Sequence, residues 1–276
     1  MARNRVRTVR VPSPLALSLS TALVLTAATA CGSDQADSAD TGTSGQQNGG
    51  APVVVATTTW EGAFARAAGA EDVTVIVPSS AQHAPDYDPK PSDLAAVAGA
   101  DFVLYAPFEP YAAKIKEAAG SDARLVEINL DNDADKAGAE VRRLGKLFGT
   151  EDAAAKWDTS FKSEYGTLRD ELKDAWPGGK APAVVTQVFS AWSAKMAGAE
   201  VVGTYGPEAV TAKQLSDLSK TKPAYVLDNA HMTTGEVLPD SGAKQVEIVN
   251  YPGEDLDLTA VYENAADTIR QALTAS

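Results

Sequence analysis

His83 and His231 are the only two imidazoles in the 276-residue chain, and Cys31 is its only thiol. Imidazole nitrogen is the commonest protein ligand for a transition metal and the commonest general base near neutral pH, so any site of either kind built on imidazole has at most these two residues to draw on. His83 falls in the run Pro78-Ser79-Ser80-Ala81-Gln82-His83-Ala84-Pro85-Asp86-Tyr87-Asp88, with two carboxylates close behind it. His231 follows the apolar stretch that ends Leu227-Asp228. Catalytic motifs are missing: there is no Gly-X-Ser-X-Gly elbow, no His-Glu-X-X-His helix and no glycine-rich phosphate loop after a strand. The residue inventory therefore favours binding over catalysis, and the protein is expected not to be an enzyme.

The histidines need elements to hold them. Short β-branched runs at 52–57, 73–77, 101–105 and 124–128 alternate with helical segments at 60–68, from Pro91, and at 109–119. The rhythm returns after Pro182, with strands at 183–186, 200–202, 224–227 and 245–249 and helices from Ser190, from Lys213 and at 258–273. Such alternation predicts two α/β lobes, each a parallel sheet flanked by helices, spanning 52–150 and 178–276. Between them, Trp157, Phe161, Tyr165, Leu168, Leu172 and Trp176 recur at helical spacing and predict one long connecting helix over 151–177, stopped by Pro177-Gly178-Gly179. Ligands in open α/β sheets bind beyond the carboxyl ends of the strands, so the expected cleft lies between the strand-end loops of the two lobes. A continuous helix between lobes also resists hinge closure, and little relative motion is expected on binding.

Arg3, Arg5, Arg7 and Arg10 precede an apolar run that ends Leu25-Thr26-Ala27-Ala28-Thr29-Ala30-Cys31. This is the pattern of a signal peptide over 1–30, with Cys31 placed as in a bacterial lipobox and expected to carry lipid. Residues 31–51 hold almost no large apolar side chain and read as a flexible tether. With 37 acidic against 24 basic residues and a formal charge of −13, a nucleic-acid partner is excluded. The expected setting is the extracytoplasmic face of the cell membrane, with a monomeric body anchored to the bilayer through Cys31.

Tyr87-Asp88-Pro89-Lys90-Pro91-Ser92-Asp93, followed by Ala100-Asp101-Phe102-Val103-Leu104-Tyr105 and Phe108-Glu109-Pro110-Tyr111, resembles the solute-binding lipoproteins of zinc and manganese ABC importers, the helical-backbone metal receptors. In that family a metal-binding histidine precedes the tyrosine by two residues; here Pro85 stands at that place and His83 lies two residues earlier. Asn129-Leu130-Asp131-Asn132-Asp133 lacks a histidine where relatives often carry one, and Gln187 occupies the place of an imidazole in the second lobe. Asp255 matches the position of the family's carboxylate ligand. The resemblance implies capture of a divalent metal, Zn2+ ahead of Mn2+, and its delivery to a membrane permease. His83 and Asp255 would then be ligands together with His231, which has no counterpart in the family's motif but follows a strand in a loop expected to face the cleft, and a water, Gln187, Asp228 or Glu254 would complete the shell. Glu109 and Asp93 read instead as helix-start residues. The alternative is an organic ligand, a siderophore or a metal chelate, stacked on Trp60, Tyr87, Phe108 and Trp192.

Overall fold

The computed structural model describes residues 51–79, 86–121, 123–233 and 235–275. The signal segment, Cys31 and His83 lie outside these residues. Four parallel strands form the first sheet: β1 (Val53–Ala56), β2 (Asp72–Val75), β3 (Phe102–Tyr105) and β4 (Arg124–Glu127), in the spatial order β2-β1-β3-β4. The second repeats this plan with β5 (Ala183–Gln187), β6 (Glu200–Tyr205), β7 (Tyr225–Asn229) and β8 (Lys244–Ile248), in the order β6-β5-β7-β8. Central strands such as β3 and β7 are buried along their whole length, as parallel strands covered on both faces must be. The two-sheet α/β architecture is the one expected from the alternating pattern.

The helices are α1 (Thr59–Ala67), α2 (Pro91–Ala98), α3 (Ala112–Ala119), α4 (Ala134–Phe148), α5 (Glu151–Asp174), α6 (Ala191–Met196), α7 (Ala212–Lys220) and α8 (Leu258–Thr274). The long α5 runs 24 residues, about 36 Å at 1.5 Å per residue. Its apolar stripe is real, with Phe161, Leu168 and Leu172 buried, while Trp176 falls just past the helix end and donates its indole N–H to the Ala197 carbonyl at 3.0 Å. Two readings need correction. The helix expected from Glu109 begins at Ala112, because Glu109 closes a tight turn onto the Ala106 amide before Pro110. The stretch before α5 also contains a helix of its own, α4, which starts at the Asp133 cap and ends at left-handed Gly149.

The lobes are not joined by α5 alone. Phe64 of α1, Leu144 of α4, Phe161 of α5, Trp192 of α6 and Tyr262 of α8 belong to one apolar core that also takes Leu104 from the first sheet and Leu227 from the second. Smaller clusters cover the outer faces, around Val103 and Ile115 in the first lobe and around Val226 and Leu238 in the second.

Helices α4 and α5 approach through glycines. A Cβ on Gly145 would lie 2.5 Å from Ala154 Cβ, and one on Gly138 would lie 2.5 Å from Asp158 Oδ1. Gly145→Ala gains up to about 1 kcal/mol of helix propensity. It must also push two helices apart, at a cost of about 1–3 kcal/mol. The net result expected is a lower denaturant midpoint with an unchanged slope, and an unchanged or higher midpoint would show that the helices separate freely.

Candidate functional site: a cleft between strand ends

Three contacts show that the carboxyl ends of both sheets face each other. The Trp60 ring, just after β1, lies 4.9 Å from the Tyr251 ring, just after β8. Asn132, after β4, donates its side-chain N–H to the Asn250 carbonyl at 3.0 Å. Ser79, after β2, donates its hydroxyl to Glu254 Oε1 at 2.5 Å. The seam is extended by Trp60 Nε1 donating to Asn132 Oδ1 at 3.1 Å and Trp192 Nε1 donating to Asn250 Oδ1 at 2.9 Å. Tryptophan N–H groups buried at an interface need such acceptors, and here they tie the lobes in one chain of hydrogen bonds.

In the first lobe, β1 runs into Thr57-Thr58-Thr59, all buried. Thr58 caps α1, and the spacing Thr58-X-X-Glu61 makes a capping box: Glu61 Oε2 accepts the Thr58 N–H at 3.1 Å and the Thr58 hydroxyl as well. Glu61 is 0% exposed, and its other oxygen, Oε1, has no hydrogen-bond partner among the described residues. Glu109 is buried beside it. Its Oε1 accepts hydroxyls from Thr57 and Tyr111, each at 3.1 Å, and its Oε2 accepts the Ala106 N–H at 3.1 Å. Burial, reinforced by the charge of Glu61, pushes the Glu109 carboxyl up to about 8. Burial also raises the Glu61 carboxyl, against the lowering effect of its hydrogen bonds to Thr58.

Above Glu109 opens a cavity of about 130 Å³ whose walls include Trp60, Phe108, Tyr111, Leu130 and Tyr251. Phe108 is 75% exposed at its rim. Four further large apolar side chains, Val188, Phe189, Met232 and Val249, stand exposed just past the ends of β5, β7 and β8.

The sequence-derived ligands fall in different surroundings. His231 sits in the loop after β7, its imidazole edge-on to Tyr251 at 4.6 Å between ring centres, and burial lowers its pKa. Asp255 is exposed and accepts the Asp257 N–H at 3.3 Å, beside the Glu254 that meets Ser79. Gln187 is buried and accepts the Phe189 N–H at 2.6 Å, opening the turn before α6. Asp228 is buried and accepts the Tyr205 hydroxyl at 2.6 Å and the Asn229 N–H at 2.9 Å. Among the described residues no group of three His, Cys, Asp or Glu side chains is placed to hold a metal ion.

Trp60 and Phe108 do line the cleft, as expected for stacking residues. Trp192 is instead a core side chain, packed edge-on against Tyr262, and Tyr87 lies on the outer core of the first lobe with its hydroxyl donated to Asp93 Oδ2 at 2.8 Å. Asp93 also accepts the Lys90 N–H at 2.8 Å at the start of α2, the helix-start role read for it. The buried Glu61 was overlooked in the sequence, although its capping-box spacing is legible there. Tyr251 carries no local signal at all.

Residues 54–159 match the family model described as "ZnuA: Zinc-uptake complex component A periplasmic". None of the curated proteins compared matches the chain. Among solved structures, zinc-bound ZnuA carrying a 138–173 deletion superposes with a TM-score of 0.60 at 18% identity, covering 82% of this chain and 100% of that one. FpvC of Pseudomonas aeruginosa in complex with Mn2+ gives 0.61 at 14% identity, with 81% and 98% covered. The laminin-binding protein Lbp of Streptococcus pyogenes gives 0.57 at 16% identity, with 79% and 98% covered. The family-model match thus covers most of the first lobe and the start of α5, and the likeness in fold extends over both lobes.

Proposed function

We propose that this chain, with the zinc-uptake family's sequence in its first lobe and that family's fold throughout its described body, is the metal-capturing lipoprotein of an ABC importer. It takes a divalent transition metal, zinc in preference to manganese, and hands it to a membrane permease. It does so from the extracytoplasmic face of the cell membrane, held there through acylated Cys31. The metal ligands are His83, His231 and Asp255. Of the additional candidates, Glu254 fits better than Gln187 or Asp228, because those two are buried whereas Glu254 is exposed.

One observation supports this reading above the others. The Ser79–Glu254 hydrogen bond holds the start of the segment that carries His83 against the loop that carries Asp255. A metal there would join the lobes and stabilise the folded state by about 2.7 kcal/mol when free metal is a hundredfold above its dissociation constant. Zinc is therefore expected to raise the melting temperature of the wild type. His83→Ala and His231→Ala should each remove most of that rise, and the double variant should lose no more, since either change breaks the same shell. Because each imidazole binds metal only when neutral, affinity should fall below about pH 6.5. Partial burial lowers the pKa of His231 and delays its share of that loss to more acid pH. A wild type with no zinc-dependent stabilisation would sink the metal reading.

The second reading, an organic ligand or metal chelate in the same cleft, is favoured by the aromatic cavity and by the apolar side chains exposed at the strand ends.

A further inference from the structure

We propose that the cavity over Glu109 is a binding site for a small organic cation, an alkylated ammonium group seated on the aromatic walls with the Glu109 carboxylate as its counter-charge. This goes beyond the metal reading: none of its residues is His83, His231, Asp255 or Glu254.

Three observations carry it. First, the walls are rich in aromatic side chains. Trp60, Tyr111 and Tyr251 come from three separate segments and surround one carboxylate, with Phe108 overhanging the mouth. A diffuse, weakly hydrated cation is attracted to aromatic rings, most strongly where it is desolvated.

Second, the charge is uncompensated. Glu61 and Glu109 are both buried, and among the described residues neither is within ion-pairing distance of a Lys, Arg or His. The oxygen of Glu61 that lacks a hydrogen bond leaves an unsatisfied acceptor close to Glu109. Buried carboxylates without a cation are pushed toward the protonated form, and burial shifts Glu109 in that direction. An arriving ammonium replaces that proton. The titratable groups around Glu109 are Glu61 from α1, Tyr111 from its own turn and Tyr251 from the loop after β8.

Third, size and donors discriminate against a bare metal ion. The cavity holds about 130 Å³, room for a compact organic group. A divalent ion wants four to six oxygen, nitrogen or sulfur donors, whereas this pocket offers one carboxylate and otherwise mostly rings and apolar side chains.

The test is calorimetric titration of the mature protein with choline and with its uncharged carbon isostere, 3,3-dimethylbutan-1-ol. At pH 8.5 choline is expected to bind at least tenfold more tightly than the isostere. Binding should weaken at pH 6, where Glu109 is protonated, with proton release detectable as a dependence of the heat on buffer ionisation. Glu109→Gln and Trp60→Leu should each weaken choline binding tenfold or more. His83→Ala should retain choline binding, and Glu109→Gln should retain the zinc-induced rise in melting temperature, so the two sites fail separately. Equal binding of choline and the isostere, or no choline binding by the wild type at pH 8.5, would overturn the proposal. Choline binding undiminished in Glu109→Gln would overturn it as well.

Discussion

Tyr262→Ala is expected to destabilise the whole molecule by about 3–5 kcal/mol, a large share of the roughly 5–15 kcal/mol that holds a domain folded. Tyr262 is 0% exposed, with ring centres 4.7 Å from Phe161, 5.1 Å from Trp192 and 5.9 Å from Tyr165. It therefore joins α5, α6 and α8 in the layer shared by both sheets. Loss of its ring leaves a cavity that surrounding helices from both lobes would have to fill. Unfolding should remain a single transition, shifted to lower urea and coincident by far-ultraviolet circular dichroism and tryptophan fluorescence. Tyr262→Phe makes the complementary case. The Tyr262 hydroxyl has no hydrogen-bond partner among the described residues, so its removal abolishes a buried unsatisfied group and should be neutral or stabilising by up to about 1 kcal/mol. Two separated transitions in Tyr262→Ala would mean that the lobes do not share their core energetically, and a destabilised Tyr262→Phe would mean that the hydroxyl has a partner in solution.

The shared layer also bears on motion. A scaffold in which α1, α4, α5, α6 and α8 pack into one core, with a Trp60–Asn132–Asn250–Trp192 hydrogen-bond chain across the seam, has no flexible strand to hinge on. Ligand capture then falls to the strand-end loops, and scattering curves with and without ligand should nearly superimpose.

Much of this architecture is legible in the residues because it rests on period. Phe102-Val103-Leu104-Tyr105 reads as a doubly covered strand, and Phe161, Leu168 and Leu172 read as one helix face. Helix α4 is harder to read: Gly138 and Gly145 lower its helix propensity, and they are present to let α5 approach, a tertiary reason invisible to local pattern. The same limit governs the site. Thr58-X-X-Glu61 announces a cap, and a cap it is, but only the fold reveals that the capping carboxylate is fully buried beside Glu109. Tyr251 comes near Trp60 only because β8 ends opposite β1, which no spacing within either segment encodes.

Those two carboxylates also set how stability should change with pH. Folding raises the Glu109 carboxyl from its ordinary range to about 8, so between those values the folded state binds a proton that the unfolded state does not. Stability from this group is complete below the unfolded value, near 4.5, and is lost as pH rises through about 8. Burial shifts Glu61 in the same direction. His231 works the other way: burial lowers its pKa, so its contribution grows as pH rises toward the ordinary histidine value and is constant above it. The window from pH 6.5 to 9 therefore separates the acids from His231. Within it the ligand-free protein should lose up to about 1.4 kcal/mol per pH unit for each proton released. For a chain of this size that corresponds to a fall in melting temperature of a few degrees per unit. Glu109→Gln should flatten the fall, while Asp217→Asn, at an exposed carboxylate far outside the cleft's buried pair, should leave it unchanged. A wild-type melting temperature that holds constant or climbs from pH 6.5 to 9 would show that Glu109 is ionised in the folded protein without cost, and that the cleft already supplies the positive charge its carboxylate requires.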